Sequence, residues 1–163
     1  MCAGAFVAGL DAGHAYNTFP LMNGHWIPPE YFSVPGWRSC FESTAAVQLH
    51  HRLLALTTLA SVGGMWLGAR SLSLPKSTRL ILNGLLAVTA VQVGLGVATL
   101  LTYVPTALGS LHQANALVLV TTSLGLMHSL RTGKPLPAAV SSYGTPAALL
   151  IIAGVCVAVI QNV

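Results

Sequence analysis

The chain has 163 residues, of which 6% are charged and 54% hydrophobic, and its mean hydropathy is +0.73. An ordinary soluble domain carries about 25% charge, so the composition excludes one and indicates a membrane protein. The formal net charge of +4 rests on seven basic and three acidic residues, but the basic ones form no patch interleaved with aromatics, so no nucleic-acid partner is expected.

From the N-terminus, "MCAGAFVAGL" is apolar yet about half as long as the roughly 20 residues a helical span requires. Nothing before it resembles the charged flank of a signal peptide, and it is expected to be the tail of a truncated helix. Asp11 to Thr44 follows, holding the acids Asp11, Glu30 and Glu42 among many Pro, Trp, Tyr and Phe residues. It reads as an interfacial loop, with Trp26 and Trp37 suited to the headgroup level. Ala45 to Leu67, Leu80 to Leu101 and Thr106 to Leu130 are each long enough to cross about 30 Å of hydrocarbon. After the loop "GKPLPAAVSSYG", Thr145 to Ile160 reads as a further, shorter helix. The expected fold is all-α: a polytopic membrane four-helix bundle of one truncated and three full transmembrane helices over residues 1–132, then a loop and an extra C-terminal transmembrane helix over 133–163. Cys2, Cys40 and Cys156 are odd in number and far apart. They exclude a zinc ribbon or a redox CxxC motif and leave the redox compartment undecided.

The turn "ARSLSLPKSTR" carries Arg70, Lys76 and Arg79, and the exit of the third full helix carries Arg131 and Lys134. With alternating helix directions both emerge on one face, the inner one by the positive-inside rule. The outer loop and the tight turn "YVPT" lie on the other.

His51 and His112 each fall about two turns into a helix that starts from the outer face, so their imidazoles are expected at similar depth. One histidine from each of two parallel-running helices is the arrangement that clamps a flat tetrapyrrole through both axial positions of its iron. Ala55, Thr58 and Val62 share the His51 direction, and Asn115, Thr122 and Ser123 the His112 direction, at helical spacing. Such residues leave room for a ring and can donate to its edges. The competing reading is that these polar groups only hydrogen-bond between helices, but two ionisable groups at one membrane depth favour a functional role. Periodicity does not choose between His51 and its neighbour His50, whose face carries the small residues Thr57, Ser61, Gly64 and Gly68. His128 reads as a helix C-terminal residue at the interface, and His14 and His25 fall in the outer loop. Arg52, next to the ligand candidate, can snorkel to the interface, where heme propionates would also seek water and a positive partner.

The segments "GAFVAGLDAGHAYNTFP", Trp26 to Pro28, "WRSCFE", "VQLHHR", "QVGLGVATLL", the "YVP" after it and "LHQ" resemble the heme A synthases of mitochondria and alphaproteobacteria, over roughly residues 3 to 132. That family has two pseudo-symmetric four-helix bundles, each with a histidine pair, and oxidises a methyl group of heme o to the formyl group of heme A. The family's Val-Gln-Phe-x-His-Arg motif falls on Val47 to Arg52, which implies His51 as ligand, with His50 at the variable position. Its Thr-His-Gln motif falls on Leu111 to Gln113, which implies His112 as the partner. The first bundle of the family carries a glutamate three residues before its ligand, where this chain has Gln48, and a glutamine cannot cycle a proton.

The resemblance therefore implies the C-terminal half of a heme A synthase, with no catalytic residue of its own. Its cofactor would be a heme b whose iron has His51 and His112 as bis-histidine ligands and Arg52 at its edge. Expected partners are membrane lipid, heme o through an N-terminal half absent from this chain, a heme o synthase, electron donor and acceptor proteins, and a second copy of the chain. The implied role is cytochrome c oxidase assembly in the mitochondrial inner membrane, or in a bacterial plasma membrane. The alternative is a stand-alone membrane b-type cytochrome or a non-catalytic remnant. Departures from the family pattern are His14, Leu49, Leu111 and the apolar tail past Ser142.

Overall fold

The structure, a computed structural model, describes residues 2–132, and the expected helix at Thr145 to Ile160 lies outside them. In order come α1 (Cys2–Gly9), α2 (Ala12–Ala15), two 3-10 turns (Pro29–Phe32 and Gly36–Arg38), α3 (Ser39–Glu42), α4 (Thr44–Ala69), α5 (Lys76–Leu101) and α6 (Thr106–Thr132). The described residues contain no strand beyond an isolated bridge between Met22 and His25. The described residues are thus all-helical, as expected from the sequence.

The long helices extend past their apolar runs. Lys76 opens α5 four residues before Leu80, because Pro75 fixes the backbone just ahead of a polar first turn and lacks only an amide hydrogen that a helix start leaves unpaired. Hydropathy marks where hydrocarbon begins; proline marks where the helix does. By length and composition α4 and α5 can each cross a membrane. α6 has the length, but His112, Gln113, Asn115, Thr121, Thr122 and Ser123 dilute its apolar character.

Side-chain exposure follows the same solvent logic. Leu53, Leu54, Leu56, Leu67, Leu80, Val91, Leu117, Leu124 and Met127 are exposed, whereas Gln48, Thr78, Thr89 and Ser129 are buried. Lipid tails are as apolar as leucine, so a membrane helix gains from tucking small and polar groups inward and leaving its large apolar ones outside.

The contacts divide the chain into two units. The first takes in Met1–Thr58 and Val93–Gly109. Its core joins Tyr16, Met22 and Ala45, with Tyr31 and Leu49 packed against them. Here the outer loop folds onto the end of α5: the Asn17 amide donates to the carbonyls of Gly13 and of Leu100, the latter at 3.2 Å. A β-carbon at Gly13 would sit 2.8 Å from Val104 Cγ2, so only glycine allows this approach. Val104 is itself held at φ 55, in the left-handed region that a β-branched residue avoids. The second unit takes in Leu59–Gln92 and the described residues from Ser110 to Thr132. Its core is Val62, Ala69, Leu82, Leu85 and Leu126, flanked by Trp66, Ile81, Leu86 and Leu119. One hydrogen bond inside it, Thr78 Oγ1 to Ser129 Oγ at 2.6 Å, ties the first turn of α5 to the last turn of α6.

Candidate functional site

In the first unit α4 presents Gln48, His50, His51 and Arg52 in succession, and each has different surroundings. Gln48 is buried; its Nε2 donates to the carbonyls of Ala12 (2.7 Å) and Tyr16 (3.2 Å), while its Oε1 accepts from Arg52 (3.0 Å). Arg52 Nη2 also donates to the carbonyls of Tyr16 (3.1 Å) and Thr18 (2.9 Å), and Nη1 to Pro20 (3.1 Å) and Leu21 (3.4 Å). The loop from Tyr16 to Leu21 thus wraps one guanidinium, whose fork of donors replaces the ladder partners an irregular backbone lacks. Arg52 Nε is buried and has no hydrogen-bond partner among the described residues.

The adjacent imidazoles separate clearly. His50 Nε2 lies 3.1 Å from the Tyr31 hydroxyl, with the rings edge to face at 5.7 Å. His51 is half-buried and faces α1, where a β-carbon at Gly4 would stand 3.4 Å from its Cε1, already in contact. A side chain longer than alanine there would press on the ring, so the glycine leaves room beside it.

In the second unit His112 is part of an amide network. Asn115 Nδ2 donates to Gln92 Oε1 (2.7 Å) and to the Val88 carbonyl (3.1 Å). That bond turns the Gln92 nitrogen toward His112, where it donates to the carbonyl at 3.1 Å and lies 3.2 Å from both ring nitrogens. The amide contacts thus fix where the His112 ring sits, while the roles of its two nitrogens follow from the tautomer.

The hydroxyls expected to face a ring are committed elsewhere. Thr58 Oγ1 donates to Leu54 O (2.7 Å), Thr122 Oγ1 to Val118 O (2.7 Å) and Ser123 Oγ to Leu119 O (2.8 Å). Each hydrogen is used within its own helix, as isolated hydroxyls in apolar surroundings do. His14 lies 4.0 Å from Asp11 in the exposed loop, and His25 pairs its backbone with Met22. No three His, Cys, Asp or Glu side chains gather among the described residues. Outside the spans, Tyr16 donates to Glu30 Oε2 at 3.2 Å; burial first, and the Glu30 carboxylate second, push its phenol pKa up.

Fold and sites define a class: an all-helical membrane protein whose long helices carry imidazoles beside an amide network at His112 and a glycine at His51. Residues 1–124 match the family of cytochrome oxidase assembly proteins termed COX15-CtaA, and the chain belongs to that family. It is 53% identical over 134 residues to the heme A synthase COX15 of Arabidopsis thaliana, covering 82% of this chain and 29% of that protein. It is 49% identical over 130 residues to the heme A synthase of Nitrosospira multiformis, covering 79% of this chain and 36% of the relative. The human heme A synthase COX15 is 45% identical over 130 residues, with 79% and 32% covered. The chain thus spans about a third of the length of the relatives it matches. No solved structure matches it.

Proposed function

We propose that residues 1–132 form the heme b-binding four-helix membrane bundle of a heme A synthase, with His51 and His112 as the two axial ligands. The observation that carries this is the family match, which runs through both histidines. His51 lies seven residues after the start of α4 and His112 six after that of α6, about 10 and 9 Å along their axes. If both helices start from the same face, these counts would give the two rings the similar depth that a ring held through both faces requires. His50 serves the loop through Tyr31, and under this reading His51 is the ligand. Arg52 supplies positive charge at the propionate edge while anchoring the loop.

A heme held there would supply one-electron transfer. Gln92, locked by Asn115, sets the His112 ring orientation; Gly4 gives the His51 ring its space; Gln48 holds the loop and moves no proton. The hydroxylation of heme o would then belong to a second bundle outside this chain, in the mitochondrial inner membrane or a bacterial plasma membrane, in the service of cytochrome c oxidase assembly. Heme o synthase, electron-carrying proteins and a second copy of the chain are partners under this reading.

The test is the optical and EPR spectrum of the chain purified in detergent with heme b. One six-coordinate low-spin heme per chain is expected. His51→Ala or His112→Ala should abolish the low-spin signal and His50→Ala should preserve it. A folded chain that binds no heme, or loss only with His50→Ala, overturns the ligand assignment.

A further inference from the structure

The second unit carries Arg70, Lys76, Arg79 and Arg131 among its described residues and no acid, because Asp11, Glu30 and Glu42 all belong to the first unit. These cations share one end of the unit. Arg70 and Lys76 flank the turn between α4 and α5, and Arg79 follows Thr78, whose bond to Ser129 sets it two residues from Arg131. Their hydrogen-bond and ring partners fix positions without neutralising charge. Arg79 Nη2 donates to the Leu72 carbonyl at 2.7 Å, which folds the guanidinium over the turn. The Arg70 guanidinium lies 5.1 Å from the Trp66 ring centroid, and the Trp66 indole is itself pinned by its bond to Asn83 Oδ1 at 2.8 Å. Arg70, Lys76 and Arg131 are exposed, and Leu72 stands exposed between the first two.

We propose that this end of the second unit is a binding site for an anionic phospholipid. Arg70, Lys76 and Arg79 take its phosphate, and Leu72 and the exposed flank of α5 take its acyl chains. Two observations favour a lipid over a soluble anion. The cations sit where two apolar helices end, at the level where a bilayer presents phosphate, and beside the serines of the turn Leu72 and Leu80 stand exposed as an apolar flank that a soluble anion would not need. Trp66 adds an indole with a fixed N–H partner, the chemistry that holds a ring at the headgroup level. A basic residue close to an anionic surface contributes roughly fivefold in binding, so three that act together should select strongly between anionic and zwitterionic lipid.

Trp66 is a built-in reporter. The full chain carrying Trp26→Phe and Trp37→Phe, both exposed positions of the first unit, is reconstituted in phosphatidylcholine vesicles. Quenching of Trp66 is compared for brominated phosphatidylglycerol and brominated phosphatidylcholine at equal mole fraction. The anionic lipid should quench at a mole fraction lower by on the order of a hundredfold, the product of three roughly fivefold contributions. Lys76→Gln should lower that preference by roughly fivefold, and Arg70→Gln with Lys76→Gln should lower it further, the far-ultraviolet spectrum serving as the check on folding. Raising salt to 1 M should weaken the preference, since the exposed charges are then screened over about 3 Å. Equal quenching by the two lipids overturns the site. So does an undiminished preference in the folded double variant. If millimolar inorganic phosphate erases the preference, the site is for a soluble anion and the lipid assignment fails.

Discussion

The two histidine neighbourhoods solve one problem with opposite materials. Beside His51, in the first unit, an irregular loop is held by a charge: Arg52 and Gln48 spend their donors on the carbonyls of Ala12, Tyr16, Thr18, Pro20 and Leu21. Beside His112, in the second unit, the partners are neutral amides, Gln92 and Asn115, and the backbone they serve is helical. A loop offers several unpaired carbonyls at once and rewards the five-donor guanidinium. A helix offers few, and there a charge would have to be desolvated for little return. Loop order in the first unit should therefore depend on one side chain, whereas in the second it should be shared.

The sharpest break of that contrast is Arg52→Leu. It removes the bonds to the carbonyls of Tyr16, Thr18, Pro20 and Leu21 and to the Gln48 oxygen, although Tyr16 keeps Gln48 and Leu21 keeps the Thr18 hydroxyl, and charged donors contribute about 1.5–3 kcal/mol per bond. Water can reach part of this loop, so the expected loss is about 2–4 kcal/mol. Hydrogen exchange should speed over residues 12–22 and stay unchanged over residues 78–90. Arg52→Lys should recover only part, because an ammonium cannot span both arms of the loop. Uniform loss of protection through both units would mean that the loop and helices fold as one and would sink the contrast. Gln92→Leu is the matched test in the second unit. It leaves Asn115 bound to Val88 and removes the amide contact from the His112 ring, at about 1–2 kcal/mol. With heme bound, the axial-ligand EPR signature or reduction potential should shift while six-coordination persists; an unmoved signature assigns Gln92 to helix packing alone.

How much of this was legible in sequence follows from which forces act over short range. The three long helices are legible in long apolar stretches, which in α6 polar residues dilute, and only their ends differ, because Pro75 and Thr44 start helices ahead of the hydrocarbon. Family motifs pointed to His51 over His50; the structure adds a physical contrast, the Tyr31 contact, which lies nineteen residues away in sequence and leaves no periodic trace. Gln92 sits inside "QVGLGVATLL" and was quoted without a role. An amide in the middle of an apolar run is itself a signal, since it must find a partner, but the partner's identity is a tertiary fact. Thr58, Thr122 and Ser123 were placed on a ring-facing stripe by spacing alone. Spacing says nothing of where a hydroxyl hydrogen goes, and all three return theirs to their own helices.

A third prediction narrows the comparison to packing in the first unit. Gly13→Ala puts a β-carbon 2.8 Å from Val104 Cγ2, and overpacking of this kind costs about 1–3 kcal/mol. The double variant with Val104→Ala should recover most of that loss in thermal midpoint, since the alanine removes the methyl that is struck. If it recovers none, the cost lies in the Gly13 backbone and the contact with Val104 is incidental.

The smallest effect expected is the pH dependence at Tyr16. Burial foremost, then the charge and hydrogen bond of Glu30, raise its phenol pKa above the ordinary value of 10.0. The folded chain therefore holds the phenolic proton more tightly than the unfolded chain does. This contribution is fully present below about pH 10 and is lost as pH rises through the raised folded value. Tyr16→Phe should flatten the decline in thermal midpoint across that alkaline window and change little near neutrality. Glu30→Gln separates the causes. With burial the larger one, the glutamine should reduce the alkaline slope without removing it, whereas complete loss would make the Glu30 carboxylate the principal cause. An unaltered slope in Tyr16→Phe would place the titrating group elsewhere in the chain.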